Sequence, residues 1–243
     1  MTMQSFPRID PVGLDGIVIR FADHLNESAN RAALALRAYL EAESWEGIEE
    51  SATSLVSTYL RFDPLHLALE TLCARVQSVL AERDWYGAAL PEGRRFLRIP
   101  TLFGSELAPQ LNEAAEAAGM SEEEAIHDLG TARLRVSTIG FAPAQPYLGI
   151  LPPAWDIPRQ SALTDQVAAG ALVVAIRQLV LFSNATPTGW RHVGQSHARL
   201  FRPDSETPFM LRPGDEVQFP AISRETFEHL RAAGTDGIEA AAL

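Results

Sequence analysis

Beyond Arg133 the apolar residues come in short segments set off by proline and glycine, and that punctuation commits the second half of the chain to a β-rich fold. Arg133 to Ile139, Gly170 to Ile176, Gln178 to Phe182, Ala198 to Phe201 and Glu216 to Phe219 each read as a strand, the pattern of a closed or nearly closed barrel. Two short helices precede them, Ala108 to Gly119 and Glu122 to Leu129. The second opens with a capping box, in which Ser121 and Glu124 each satisfy a free N–H at the helix end. Ser223 caps a last helix, Arg224 to Ala233, that Gly234 stops. The remaining residues to Leu243 have little to hold them and are expected to form a mobile tail.

The first hundred residues alternate in period. Gly16 to Phe21 reads as a strand, and Asn26 then offers a capping oxygen to a helix whose Ala29, Ala32, Ala33, Leu36 and Leu40 recur on one face. Ile48 to Ala52 and Leu55 to Phe62 suggest a hairpin. Asp63-Pro64 suits a helix start, and Leu65, Leu69, Leu72, Val76 and Val79 form its stripe, with Cys73 beside it as a core residue. Phe96 to Phe103 adds another strand. The order βαββαβ is the ferredoxin-like, split βαβ arrangement. The expected fold is therefore α+β: a ferredoxin-like domain over residues 1–104, a β-barrel domain over 105–233, and a tail over 234–243.

Charge excludes several chemistries. Of the 243 residues, 31 are acidic and 20 basic, a net charge of −11, and every basic residue is Arg. Without lysine there can be no Schiff base, lysyl general base, phosphate-loop lysine or biotinyl-lysine on this chain. A nucleic-acid groove needs a basic face, and no Arg cluster exceeds Arg94-Arg95-x-x-Arg98. The lone Cys73 cannot form an internal disulfide, and no spacing offers a metal site. The longest apolar run, Ala168 to Ile176, is far short of the roughly 20 residues that span a bilayer. These features predict a soluble, cytoplasmic protein with neither nucleic acid nor membrane as partner.

The second half also carries recognisable text. Gly140-Phe141-Ala142-Pro143, Pro146-Tyr147-Leu148, Pro158-Arg159, Val167 to Gly170, Gln178, and Pro187-Thr188-Gly189-Trp190 with Gly194 follow one another in an ordered series. Phe103-Gly104, Gly119 to Ile126, Arg199-Leu200-Phe201 and Leu211 to Asp215 extend it. The series resembles the allophanate hydrolase subunit 1 family, also called the 5-oxoprolinase B-subunit (PxpB) or KipI-like family, over residues 13–228. The resemblance implies a cyclophilin-like barrel after the ferredoxin-like domain. It also implies a partner of similar barrel fold, a PxpC- or KipA-type subunit 2, that completes the active site. This chain departs from the pattern in places. Ala144-Gln145 stands where the family usually has Gly-Phe, Ala168 where it has Pro, and Val173 to Val180 replaces a glycine-rich segment.

On this resemblance the enzyme reading is a subunit acting on an amide or urea-type C–N group, of the 5-oxoprolinase or allophanate hydrolase kind, or a urea carboxylase-type carboxyl-transfer module. ATP, or carboxybiotin on a partner, is implied with it. The other reading is a non-catalytic KipI-like protein that binds and inhibits a sensor histidine kinase. Arg159 could hold a carboxylate or phosphate through its fork, or sit in a surface ion pair. Gln178 could grip an amide or urea, or cap a barrel edge. Tyr147 and Trp190 could wall a cleft for the small amide or urea-like substrate, or fill the core. Arg177 could add a second cation if it points inward; otherwise it faces solvent. His192 is the one histidine placed to act as acid or base.

Overall fold

The computed structural model describes residues 5–243. They fall into two compact units that divide between Glu92 and Gly93.

The first unit is a four-stranded antiparallel sheet with two helices. Its elements are β1 (Arg8–Val12), β2 (Gly16–Arg20), α1 (Glu27–Glu43), β3 (Ile48–Ser54), β4 (Ser57–Phe62) and α2 (Leu69–Ala81), with strand order β1-β2-β4-β3. Asn26 caps α1 by accepting from Ala29 N at 2.9 Å. The stripe Ala29, Ala32, Ala33, Leu36 and Leu40 packs on Ile17, Ile19, Leu60 and Phe62 of the sheet, as the helical spacing demands.

Two expectations for this unit are corrected. The helix starts at Leu69 and not at Asp63-Pro64, because Asp63 instead closes a turn: its carboxylate accepts from Leu65 N at 2.8 Å, leaving Leu65 exposed. The element order is ββαββα. Edge strand β1 carries Pro11, which argues against a strand in the sequence and is tolerated here because the strand lies at the sheet edge. The strand expected to finish this domain pairs in the second unit.

That unit contains β5 (Arg95–Arg98), β6 (Leu102–Phe103), α3 (Leu111–Ala118), α4 (Glu122–Thr131), β7 (Leu134–Ile139), β8 (Pro146–Gly149), β9 (Thr164–Val167), β10 (Ala171–Ala175), β11 (Gln178–Leu181), β12 (Thr186–Thr188), β13 (Arg191–Gln195), β14 (Glu216–Gln218), α5 (Arg224–Ala233) and β15 (Glu239–Ala242). Nine strands form one sheet in the order β15-β5-β14-β7-β8-β11-β10-β13-β6, while β9 and β12 pair separately. Residues 99–101 between β5 and β6 continue the ladder, with Ile99 N donating to Gln218 O and Thr101 N to Pro220 O, both at 2.9 Å. One continuous segment thus serves both ends of the sheet, which curls back on itself. Asp215, 1% exposed, fastens this seam: its carboxylate accepts from Arg95 N at 3.0 Å, Arg95 Nη2 at 2.6 Å and Arg212 N at 3.0 Å.

The expected tail is also corrected. Glu239 to Ala242 pair antiparallel with Arg98 to Arg95, so backbone hydrogen bonds hold the segment that its composition leaves unanchored. Ala198 to Phe201, expected as a strand, contributes only a bridge between Phe201 and Phe209.

Strand alternation sorts the side chains of this sheet. Leu148, Leu172, Val174, Leu179, Leu181 and Val193 enter the main core with Ala114, Ala115 and Leu129 of the helices and the buried Trp155. Val173, Ala175, Val180, Phe182 and Trp190 gather in a second apolar cluster on the other face, with Tyr147 packed against it.

Candidate ligand cleft

The second cluster floors an open cleft of about 290 Å³. Tyr147 of β8 and Val180 of β11 are cross-strand partners, and the Tyr147 ring meets Trp190 edge-on with centroids 6.2 Å apart. The guanidinium of Arg159 lies over the Trp190 ring, 5.3 Å from its centroid, a cation–π arrangement that leaves its N–H fork available to an anion.

The strap that carries Arg159 is fixed through its neighbour. Gln160 N donates to Gly189 O at 2.7 Å, and Gln160 Nε2 donates to Trp190 O at 3.0 Å. Gln110 of the loop before α3 donates to Gln160 Oε1 at 2.6 Å. Trp190 N in turn donates to Thr188 Oγ1 at 3.0 Å. The Pro-Thr-Gly-Trp turn and the Pro-Arg-Gln strap are therefore one hydrogen-bonded unit, and Gln160 positions the arginine.

Three of the six candidate side chains, Tyr147, Arg159 and Trp190, share this cleft. The others stand apart from it. Gln178 sits two positions before Val180 on the same strand face, 9% exposed, and its Nε2 is buried without a hydrogen-bond partner. Arg177 does not supply a cleft cation. With Ile176 it forms the turn between β10 and β11, both residues have positive φ (60° and 44°), and its Nε donates to Leu151 O at 2.9 Å.

His192 of β13 lines a different hollow, beside Gln110, Gln166 and Gln195. Burial lowers its pKa from the ordinary histidine value, against the opposing hydrogen bonds with Gly194 and Gln195. The contact between its Nε2 and Gly194 O, at 3.0 Å, fits a neutral ring donating from that nitrogen.

The cleft also contains residues that pattern reading passed over: Phe141, Gln145, Gln160, Leu163 and Phe182. Gln145 had a signal, because it occupies a position where the resemblance calls for Phe. Among the described residues no group of three or more His, Cys, Asp or Glu is arranged to hold a metal ion, and no helix is long and apolar enough to cross a membrane.

Comparison with known proteins agrees with this architecture. Residues 7–211 match the family described as carboxyltransferase domain, subdomain C and D. The 5-oxoprolinase B-subunit of Bacillus subtilis is 30% identical over 227 residues, covering 90% of this chain and 95% of that protein. This chain belongs to the 5-oxoprolinase B-subunit family. Among solved structures, that of TTHA0988 superposes with a TM-score of 0.72 at 30% identity, covering 86% of this chain and 40% of that one. The chain thus spans about two fifths of that protein's length. The Kluyveromyces lactis urea carboxylase, 14% identical with a TM-score of 0.70 over all of this chain and 25% of that one, shares the fold.

Within the 5-oxoprolinase B-subunit family, the departures of this chain take on a structural meaning. Ala144, where Gly is usual, has φ of 60° and is buried against the main core, a left-handed position that favours glycine. Ile176 and Arg177 adopt the same conformation within the segment that is usually glycine-rich.

Proposed function

We propose that this chain is one subunit of a multi-subunit enzyme acting on an amide C–N bond, and that the Arg159–Trp190 cleft receives the small substrate. The observation that carries the reading is the pairing of a hydrogen-bonding cation with an aromatic floor: Arg159 offers its fork to a carboxylate, while Tyr147 and Trp190 pack a small ring. The family relation supplies the reaction class, since the relative from Bacillus subtilis is named for 5-oxoproline, a cyclic amide bearing a carboxylate.

The chain's role is to bind and orient. Arg159 neutralises the substrate anion, the aromatic pair excludes water from one face of the ring, and Gln160 holds the arginine strap in place. Phe141 and Leu163 on the rim are 78% and 69% exposed, which suits a covering surface from a PxpC- or KipA-type partner with a cyclophilin-like barrel. The cleft does not fit a nucleoside triphosphate: it offers one arginine, no lysine and about 290 Å³.

Reconstitution tests this reading. The chain alone should not turn over 5-oxoproline, urea or allophanate with ATP, whereas co-expression with its partner subunits should yield turnover that Arg159→Ala lowers. Full turnover by the isolated chain contradicts the subunit assignment.

A further inference from the structure

Gln145 is 1% exposed, lies on the wall of the cleft, and its Oε1 has no hydrogen-bond partner. An amide carbonyl buried in this way is costly, because it has lost water and gained nothing in return. Its backbone is fully engaged. Gln145 N donates to Ala142 O at 3.2 Å, and Gly140 N donates to Gln145 O at 3.1 Å, so the tight 140–145 turn fixes where the side chain begins. The surrounding wall is Phe141, Tyr147, Val180 and Phe182, and none of them supplies a donor to Oε1.

We propose that Gln145 is a specificity-determining residue, which selects a ligand that presents an N–H to Oε1 while its anionic group lies on Arg159. This deepens the substrate reading above and rests on it. The two groups together describe a small carboxylate with a secondary amide N–H, such as a lactam carboxylate. A lactone carboxylate has the same shape and charge but a ring oxygen in place of the N–H. It leaves the Gln145 carbonyl unpaired and sets two acceptors against each other, so the cleft discriminates between the two ligands. The Phe expected at this position cannot make that distinction.

Calorimetric titration of the chain assembled with its partner subunits, without ATP, with 5-oxoproline and with its ring-oxygen lactone counterpart tests the assignment. The wild-type chain should bind the lactam about tenfold or more tightly than the lactone. Gln145→Met, which keeps the length and removes the acceptor, should bring the ratio close to one while Arg159→Ala weakens both ligands together. Equal affinity of the wild type for the two ligands overturns the role of Gln145 and leaves the cleft standing. A ratio unchanged in a folded Gln145→Met chain does the same. Failure of both ligands to bind the wild type overturns the cleft assignment itself, and this inference with it.

Discussion

The two faces of the curled sheet are made by the same strands and do different work. On one face Leu148, Leu179, Leu181 and Val193 pack with apolar residues of the helices in the main core. On the other, Val180 and Phe182 share their surface with the orphaned amides of Gln145 and Gln178 and with buried His192. A buried polar atom without a partner costs about 1–3 kcal/mol, so the second face gives up stability that the first supplies. The proposed ligand cleft lies on the second face.

The contrast can be tested at adjacent residues. Leu179→Ala should cost about 2–5 kcal/mol of unfolding free energy, measured by chemical denaturation, because it opens a cavity in the main core. Val180→Ala, one step along β11, should cost less and alter ligand affinity in the cleft. Equal losses at the two positions would erase the distinction between the faces. Asp215→Ala should cost about 1–3 kcal/mol, since it leaves the backbone N–H groups of Arg95 and Arg212 at the sheet seam without their acceptor, while the half-exposed Arg95 guanidinium keeps Met210 O.

Arg159 should behave in the opposite way. It is exposed, and its Arg159→Ala variant should melt with the wild type while binding a small carboxylate about 10- to 100-fold more weakly, the loss of a charge-assisted hydrogen bond of about 1.5–3 kcal/mol. A large fall in melting temperature would move Arg159 to the structural side of the comparison.

His192 gives a pH test. Its folded pKa lies below the unfolded value of about 6.5, so the unfolded chain binds the extra proton first as pH falls. The neutral ring's contribution is complete above the unfolded pKa and is lost on acidification below it. Stability measured from pH 7.5 down to 5.5 should therefore fall less steeply in His192→Gln than in the wild type. Parallel curves would show that the ring is not held neutral by its burial. The smallest effect is expected at Ile176→Gly. A left-handed β-branched residue costs about 1–2 kcal/mol and glycine's extra chain entropy about 0.5–1 kcal/mol, so this exposed turn should gain up to about 1 kcal/mol.

Local pattern carried the elements whose apolar residues keep one period. The α1 stripe, the Ser121–Glu124 capping box and the strands β10 and β11 are all legible in the sequence. Elements defined by distant partners are not. β1 contains Pro11, which reads against a strand until its place at the sheet edge is known, and β15 is a short alanine-rich segment made a strand by β5. The domain boundary shifts for the same reason: Phe96 to Phe103 reads as a strand, but only the structure shows that it joins β13 and β14. In the cleft, motif text exposed Tyr147, Arg159 and Trp190. Gln145 stood out in the sequence only as a departure from the resemblance, its unpaired carbonyl being visible only in the structure, and Arg177 lies outside the cleft because a two-residue turn directs it to Leu151.

The most direct test of ligand placement is a 1H–15N NMR titration with 5-oxoproline of this chain, 15N-labelled and assembled with its unlabelled partner subunits, following backbone amides, indole N–H groups and side-chain amides. Saturable shifts confined to Phe141, Gln145, Tyr147, Arg159, Gln160 and Trp190, with the Trp45, Trp85 and Trp155 indoles unmoved, are the predicted result. Shifts centred on His192 and Gln195, or on the first unit, would contradict the placement of the ligand between Arg159 and the Tyr147–Trp190 pair.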